Sequence, residues 1–181
     1  GESRHEKQLE QAHFALAFES PNYCDSRIHA SQIYATALGG SMSSRLFQEV
    51  REKRGLCYSI YASAGAYADT GMMTIYAGTS AEQLAEITID ELKRAAEDMR
   101  PDEIERARAQ MKAGLLMGLE SPSNRAERLA RMVQICGRGP PLDEVITRID
   151  AVTLDDVRRL AEETAAEAPA ALARGSAGSD W

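Results

Sequence analysis

Apolar and polar residues alternate along residues 13–18, HFALAF, which places Phe14, Leu16 and Phe18 on one face. Alternation with a period of two predicts a half-buried β-strand. Residues 8–11 continue the pattern on the N-terminal side of this segment, so we expect the strand to extend backward into them.

The next segment has apolar residues at spacings of three and four, which predicts an amphipathic α-helix. Asp25 is a candidate N-cap, because a carboxylate can accept a hydrogen bond from a backbone N–H of the first helical turn. Gly39 and Gly40 mark the end of the helix. The apolar stripe comprises Ile28, Ile33, Tyr34, Ala37 and Leu38.

Residues 39–76 contain a glycine turn, a short helix, a second glycine, and two strands joined by a turn. Ser43 and Ser44 are N-cap candidates for the short helix. Gly55 stands where a glycine in the left-handed conformation ends many helices. The apolar face of this helix comprises Leu46, Phe47 and Val50.

After Gly55 the period changes to two, as in a strand. The two predicted faces of this strand comprise Tyr58, Ile60 and Ala62 on one side and Cys57, Ser59 and Tyr61 on the other. Arg51 then lies on the last helical turn and Tyr58 among the first strand residues. We therefore expect these two side chains to converge at one edge of a sheet.

The remaining pattern is mostly helical, with predicted helices over residues 80–98, 101–120, 121–137, 142–149 and 154–166. Ser80 and Thr153 each begin a capping box. Residues 170–173 are predicted as a last strand and residues 175–181 as a loose tail. Antiparallel hairpins with segregated helices predict an α+β fold. We expect a single two-layer domain over residues 1–181, in which a mainly antiparallel sheet packs against several helices.

Composition and charge narrow the classes of function. Apolar residues at 44% and charged residues at 27% are typical of a soluble globular domain. The net charge of −7 argues against nucleic-acid binding and is typical of a solvated acidic surface, or of one that binds a basic peptide. No apolar run approaches the roughly 20 residues of a membrane span. The polar start without Met has no secretory signal and predicts an excised domain or mature fragment.

The chain has three cysteines, Cys24, Cys57 and Cys136, an odd number without CxxC spacing. This arrangement predicts reduced, buried thiols in an intracellular protein. The position of Cys57 beside Tyr58 admits a second interpretation as a reactive thiol, but a small core residue is the preferred one.

The string LGGSMSSRLFQEVREKRGLCYSIYA, followed by a turn and GMMTIYAGTS, resembles the C-terminal half of a processing-protease subunit. The family is that of mitochondrial processing peptidase, pitrilysin and insulinase. These are inverted zincins, zinc peptidases with an HxxEH motif. The resemblance extends from about His5 to Leu172 and implies a metallopeptidase half-domain of the processing-peptidase type.

Histidines occur only at positions 5, 13 and 29, and none begins an HxxEH motif. A zinc peptidase needs metal ligands and a base that activates water. We therefore expect no metal site and no peptide cleavage by this chain alone. The resemblance implies zinc on a companion N-terminal domain, a peptide or precursor-protein substrate, and a homo- or heterodimer partner. It also predicts the bacterial cytoplasm as the compartment, with the mitochondrial matrix as the alternative.

The resemblance also implies roles for individual residues. Arg51 would orient Tyr58 and the substrate backbone, and Tyr58 would donate a hydrogen bond to the substrate near the scissile bond. The residues alone leave another interpretation open, an arginine in a surface ion pair and a tyrosine packed on the sheet. Gly39, Gly40 and Ser41 coincide with the family's glycine-rich loop and are candidate substrate-binding residues, although a turn and a helix cap explain them adequately.

Two functions of different class follow from these observations. The first is the non-zinc domain of a zinc-dependent processing endopeptidase, in which Arg51 and Tyr58 act on the bound peptide. The second is a catalytically inactive scaffold, like the family's core subunits in a respiratory complex. The presence of both residues in their expected context favours the first, and an HxxEH motif upstream would discriminate between the two.

Overall fold

The computed structural model of the chain describes residues 12–79 and 84–176, with side chains for residues 13–78 and 84–167. The strands are β1 (Ala12–Ser20), β2 (Cys57–Ala66) and β3 (Gly71–Thr79). The helices are α1 (Ile28–Gly39), a π-helix (Phe47–Glu52), α2 (Leu84–Asp98), α3 (Pro101–Gly118), α4 (Pro122–Cys136), α5 (Leu142–Asp150) and α6 (Leu154–Ser176). The prediction of an α+β fold with an antiparallel sheet is confirmed.

The sheet is antiparallel, with strand order β1-β3-β2, so β3 is central and β2 lies at an edge of the described sheet. Register pairs Phe18 with Met73 and Ala62 with Ile75. All four of these residues are buried, because α1 packs on β2 and α6 packs on β1. The helix α3 packs on α1, and the helix α2 packs on α6. None of the described helices packs on the opposite face of the sheet, and Tyr61 is exposed there.

The predicted strand face of Phe14, Leu16 and Phe18 is confirmed, since all three are buried or packed against the core. The proposed extension of β1 through residues 8–11 lies outside the described residues, as does the Ser80 capping box. Within the described part of the chain, no helix combines the length and apolarity needed to cross a bilayer.

The predicted N-cap role of Asp25 is wrong. Its carboxylate accepts the backbone N–H of Arg27 at 2.8 Å and pairs with the Arg27 guanidinium at 3.2 Å. Aspartate favours such a local turn because its side chain reaches the backbone two residues ahead. The side-chain and backbone hydrogen bonds from Arg27 hold the pKa of Asp25 below its ordinary value. The helix α1 begins only at Ile28, without a side-chain cap.

The predicted strand at residues 170–173 is also wrong, because α6 continues through this segment to Ser176. The Thr153 capping box is confirmed: Asp156 accepts the Thr153 backbone N–H at 2.9 Å, and Thr153 accepts that of Asp156 at 3.2 Å. The segment that follows is rich in alanine, the strongest helix former. The predicted tail therefore starts too early, since Gly175 is still helical, and residues 177–181 lie outside the described residues.

The prediction of three reduced, buried thiols is wrong for two of them. Cys24 and Cys136 form a disulfide across 112 residues of sequence, with their Cα atoms 5.9 Å apart. The turn before α1 meets the end of α4 in space, and such nonlocal proximity is not visible in cysteine spacing. Cys57 is free and buried, in agreement with the preferred interpretation.

The helix α4 is amphipathic, as predicted, yet none of its residues is buried. Its apolar residues Leu129 and Val133 are 53% and 50% exposed. The helix ends at Gly137, whose φ of 71° is the left-handed conformation that glycine adopts without steric cost. The disulfide at Cys136 therefore holds a helix that has no buried side chain of its own.

Candidate functional site

The segment that carries Arg51 is a π-helix and not the predicted α-helix. The Lys53 N–H donates to the Gln48 carbonyl, five residues earlier, at 3.0 Å. Glu49 and Val50 are the two buried residues of this segment. Single π-helical turns occur frequently at functional sites.

The predicted N-caps, Ser43 and Ser44, do not cap this helix through their side chains. The Ser44 hydroxyl donates to the Ser41 carbonyl at 2.6 Å, and the Ser43 hydroxyl lies 3.1 Å from that of Ser41. Both hydroxyls bond within the turn itself. Serine hydroxyls often bond to nearby backbone groups in this way, and they are then not available to cap a helix. The C-terminal end is as predicted, since Gly55 has a φ of 63°.

A chain of partly buried ion pairs connects the π-helix and the residues before it to α2 and α3. At the N-terminal end, the Arg45 guanidinium donates to both Glu103 carboxylate oxygens, at 2.8 and 2.7 Å. Within the π-helix, Glu49 pairs with Arg54 at 3.0 Å and with Arg94 of α2 at 3.6 Å. Arg94 also pairs with Glu91 at 2.7 Å, and Glu91 pairs with Arg45 at 3.5 Å. Arg94 and Glu91 therefore connect the pairs of Glu49 to those of Arg45. We call the residues Arg45, Glu49, Glu91, Arg94 and Glu103 the ionic clamp.

Burial and charge act on the ionic clamp in opposite directions. Burial opposes the charge of Arg45, but the hydrogen bonds to Glu103 and Asp98 raise its pKa above the ordinary value. The Lys53 hydrogen bond lowers the pKa of Glu49, whereas burial raises that of Glu91. No local pattern in the sequence indicates this clamp, because the carboxylate partners of Arg45 follow it by 46 to 58 residues.

A β-bulge at the start of β2 determines where Tyr58 lies. Cys57 is opposite Thr79 and Ser59 is opposite Gly78, so β2 advances two residues while β3 advances one. Tyr58 is the extra residue. A bulge of this kind redirects a side chain and is over-represented beside active sites.

The bulge overturns part of the predicted alternation along β2. Tyr58 was expected on the face of Ile60 and Ala62, but those two are buried and Tyr58 is 79% exposed. Cys57 was expected on the opposite face and instead joins Ile60 and Ala62 in the core. Burial raises the pKa of the Cys57 thiol, with the Arg51 charge acting against it. Cys57 is thus a packing residue.

The structure brings the Arg51 and Tyr58 side chains together, as the helix-to-strand joint predicts. The guanidinium carbon of Arg51 lies 5.3 Å from the centre of the Tyr58 ring and 4.5 Å from that of Phe47. Cation–π contacts at these distances orient a guanidinium between two rings. Among the residues with described side chains, Arg51 has no ion-pair partner. Its position is therefore set by the two aromatic rings.

The candidate residues Gly39, Gly40 and Ser41 lie at the end of α1, against the middle of β2. A Cβ on Gly39 would stand 2.4 Å from the Ala62 backbone nitrogen. The Gly40 carbonyl accepts the Gln110 side-chain amide at 2.8 Å. Along a strand, Ala62 is four residues from Tyr58, or about 13 Å. These contacts explain the glycines by close packing, and their predicted role in substrate binding stays a prediction.

The close approach of α1 and β2 leads to a paired stability prediction. We expect Gly39→Ala to destabilise the chain by about 1–3 kcal/mol, because the added methyl group has no space. In contrast, a Cβ on Gly114, inside α3, meets no atom within 4 Å. Gly114→Ala should therefore stabilise by about 0.5–1 kcal/mol through helix propensity. Urea unfolding of both variants tests the contact, and equal stability of Gly39→Ala and the wild type would contradict it.

The described side chains do not fit a zinc site. His13 Nδ1 lies 2.7 Å from the Tyr76 hydroxyl, and His29 Nδ1 lies 3.1 Å from the Gln32 side-chain oxygen. In the part of the chain that the structure describes, no group of three or more His, Cys, Asp or Glu residues is placed to hold a metal ion. We therefore derive no chemical step through a metal on these residues.

The fold and the site define an α+β domain with an exposed tyrosine oriented by an arginine at a sheet edge. Residues 2–111 match the family model described as the Peptidase M16 inactive domain. The chain belongs to this family, and the resemblance to zinc-peptidase half-domains is thereby confirmed.

Relatives and solved structures agree with this assignment. The uncharacterized zinc protease YmxG of Bacillus subtilis is 40% identical over 163 residues, which cover 87% of this chain but only 39% of that protein. A conserved protein from Enterococcus faecalis is 28% identical, with a TM-score of 0.76 over 87% of this chain and 38% of that one. The peptidase M16 inactive domain from Pseudomonas fluorescens has the same fold, with 23% identity and a TM-score of 0.75 over 86% of this chain and 38% of that one.

Proposed function

We propose that this chain is the metal-free domain of a zinc-dependent processing endopeptidase, and that Arg51 and Tyr58 contact the bound peptide. The observation that carries the proposal is the 79% exposed Tyr58 ring, held against the Arg51 guanidinium by a bulge and a π-helix. An exposed tyrosine in a defined position presents its hydroxyl to a ligand, whereas a packing tyrosine would bury its ring.

The chemistry of peptide hydrolysis suits these two groups. The carbonyl oxygen of the scissile bond gains negative charge as water attacks the carbonyl carbon, and a fixed O–H or N–H donor stabilises that charge. Tyr58 supplies a phenolic O–H. Arg51 supplies planar N–H donors that remain charged at any working pH and can bind neighbouring peptide carbonyls. In this proposal Tyr58 is a catalytic residue, and Arg51 positions Tyr58 and the substrate.

The alternative of a catalytically inactive scaffold draws less support from the same geometry. The structural interpretation of the two residues that goes with it is an arginine in a surface ion pair and a tyrosine packed on the sheet. Instead, Arg51 contacts two rings and, among the described side chains, has no carboxylate partner. Tyr58 points away from the core. The ionic clamp further fixes the segment that carries Arg51, at the cost of buried charge, which is a typical feature of a preorganised site.

The proposal requires a second domain. The chain spans 39% of the length of the Bacillus subtilis zinc protease that it matches, so that relative has room for at least one more domain. We propose that a companion N-terminal domain holds the zinc and its HxxEH ligands, and that a homo- or heterodimer encloses the peptide or precursor protein in the bacterial cytoplasm. Gly39 packs against the strand that carries Tyr58, and substrate binding by Gly39, Gly40 and Ser41 stays a prediction.

The test is peptide cleavage by the intact peptidase that contains this domain. Tyr58→Phe and Arg51→Lys are compared with the wild type at equal zinc content and equal folded fraction. Loss of turnover with unchanged stability supports the catalytic role. Normal kcat/KM in both variants would instead support the scaffold.

A further inference from the structure

A cavity of about 700 Å³ lies on the helical side of the molecule, between α1, α3, α4 and α5, beside the edge strand β2. Ligand sites in proteins usually have volumes of this order. Tyr58, the extra residue of the bulge, does not line the cavity, and the proposed function does not use the cavity.

The floor of the cavity is polar, although it faces the middle of the domain. His29 and Gln32 project from one face of α1, and the His29 Nδ1–Gln32 Oε1 hydrogen bond of 3.1 Å uses one polar atom of each. If His29 donates from Nδ1 there, its Nε2 and the Gln32 amide N–H groups face the cavity without a partner among the described side chains. These polar atoms are therefore accessible to a ligand in the cavity.

The charges around the cavity leave a positive surplus. Arg138 and Arg148 both pair with Glu144. Asp25 is already paired with the Arg27 guanidinium. Arg128, which projects from α4 into the lining, has no ion-pair partner in the described residues. The charges that line the cavity therefore favour an anionic ligand.

His29 responds to the same surplus. Burial lowers the pKa of His29, and the charges of Arg148 and Arg128 lower it further, with only the Gln32 hydrogen bond acting in the other direction. An anion placed between Arg128 and the α1 floor would reverse the effect of the two arginines on His29. The site thus has a titratable reporter of its occupancy.

The walls of the cavity are apolar, and one side is a strand edge. Met111, Leu115, Met132 and Ile149 form the walls. Ser63 of β2 lies at the rim, on the side of the strand that β3 does not pair. A ligand for this cavity combines a carboxylate with an apolar body and with amide groups that can bond to Gln32 and to the strand edge.

We propose that this cavity binds the free C-terminal carboxylate of a short apolar peptide, with the carboxylate at Arg128 and the Gln32 amide and the apolar side chains against Met111, Leu115 and Met132. A fatty acid would satisfy Arg128 but would leave the strand edge unpaired. The interaction does not depend on the roles of Arg51 and Tyr58, because it requires no cleavage.

The experiment measures binding of acetyl-Leu-Leu-Leu by calorimetry to the chain with its disulfide formed. We expect the free acid to bind at least tenfold more tightly than its C-terminal amide, the ratio for loss of a charge-assisted hydrogen bond. Arg128→Ala should weaken binding of the acid by a similar factor. Arg131→Ala is the matched control, since Arg131 is on the same helix, pairs with Glu127 and does not line the cavity.

A second readout separates a specific site from general attraction to a basic surface. In the wild type, the acid should raise the pKa of His29, followed by NMR titration of its ring protons, and the amide should not. Equal binding of acid and amide, or an unchanged affinity in a folded Arg128→Ala variant, would overturn the proposal. Decanoate binding as tightly as the peptide acid would likewise overturn it, because a fatty acid uses no strand edge.

Discussion

In the intact peptidase, Tyr58→Phe and Arg51→Lys should each lower kcat by about 10–1000-fold, the range for removing one donor to a developing oxyanion. Tyr58→Phe removes a single hydroxyl and retains the ring that contacts Arg51 at 5.3 Å. Arg51→Lys keeps the positive charge but loses the planar group that lies over Phe47 and Tyr58. Stability and zinc content should barely change, because neither residue is buried in the core.

The matched control for the hydroxyl is Tyr67→Phe. Tyr67 is 55% exposed, like Tyr58 an accessible tyrosine, but it follows the far end of β2. Nine residues of strand separate the two, or roughly 30 Å. We expect normal kcat in Tyr67→Phe. If Tyr58→Phe lowered the melting temperature and left kcat intact in the folded molecules, Tyr58 would be a structural residue and the scaffold function would stand.

Most of the fold could be predicted because local sequence specifies it. The alternation of Phe14, Leu16 and Phe18 predicts β1, and Gly55 predicts the end of the helical segment before β2. The exceptions are segments whose helix propensity and whose pattern of apolar residues predict different elements. Residues 170–173 carry apolar side chains that a strand could use, yet they continue a helix already nucleated at Thr153. Helix formation is cooperative, so an existing helix extends through alanine-rich sequence.

The proximity of Arg51 and Tyr58 could be predicted from the sequence, but the direction of the Tyr58 side chain could not. That Arg51 and Tyr58 meet follows from the helix-to-strand joint, whereas the direction of Tyr58 depends on one extra residue in β2. A period-two pattern contains no mark of a bulge, because Cys57 and Tyr58 are both acceptable on either face. The π-helix is hidden in the same way, since one additional residue in a turn leaves the apolar spacing nearly unchanged.

These two irregularities lie on either side of Gly55 and together define the site. A regular α-helix and a regular strand would place Tyr58 with Ile60 and Ala62 in the core. The bulge instead turns the Tyr58 ring outward, and Glu49, buried within the π-helix, joins the ionic clamp to the segment that carries Arg51. Deviations from ideal geometry that cost stability are expected where a protein performs its function.

The ionic clamp gives the largest expected effect on stability, through Arg45→Met. The Arg45 side chain is 10% exposed, and its partners Glu91 and Glu103 are 3% and 10% exposed. Methionine approximates the volume of the arginine stem but leaves Glu103 without the guanidinium that binds both its oxygens, and leaves Glu91 with Arg94 alone. Removing one member of a buried ion pair costs about 3–5 kcal/mol. That is a large part of the 5–15 kcal/mol that stabilises a typical domain.

The control for this variant is Arg106→Met, which breaks an exposed pair with Asp102 and should cost at most about 1 kcal/mol. Adding Glu103→Gln to Arg45→Met removes one buried negative charge that has lost its arginine partner. The glutamine oxygen can still accept the hydrogen bond that the Arg100 backbone N–H donates to Glu103 at 2.9 Å in the wild type. The double variant should therefore be more stable than Arg45→Met alone, the non-additivity expected of coupled charges. Urea unfolding measures all three variants. If Arg45→Met lost no more stability than Arg106→Met, the clamp would not hold the π-helix, and the orientation of Arg51 would have to come from Phe47 and Tyr58 alone.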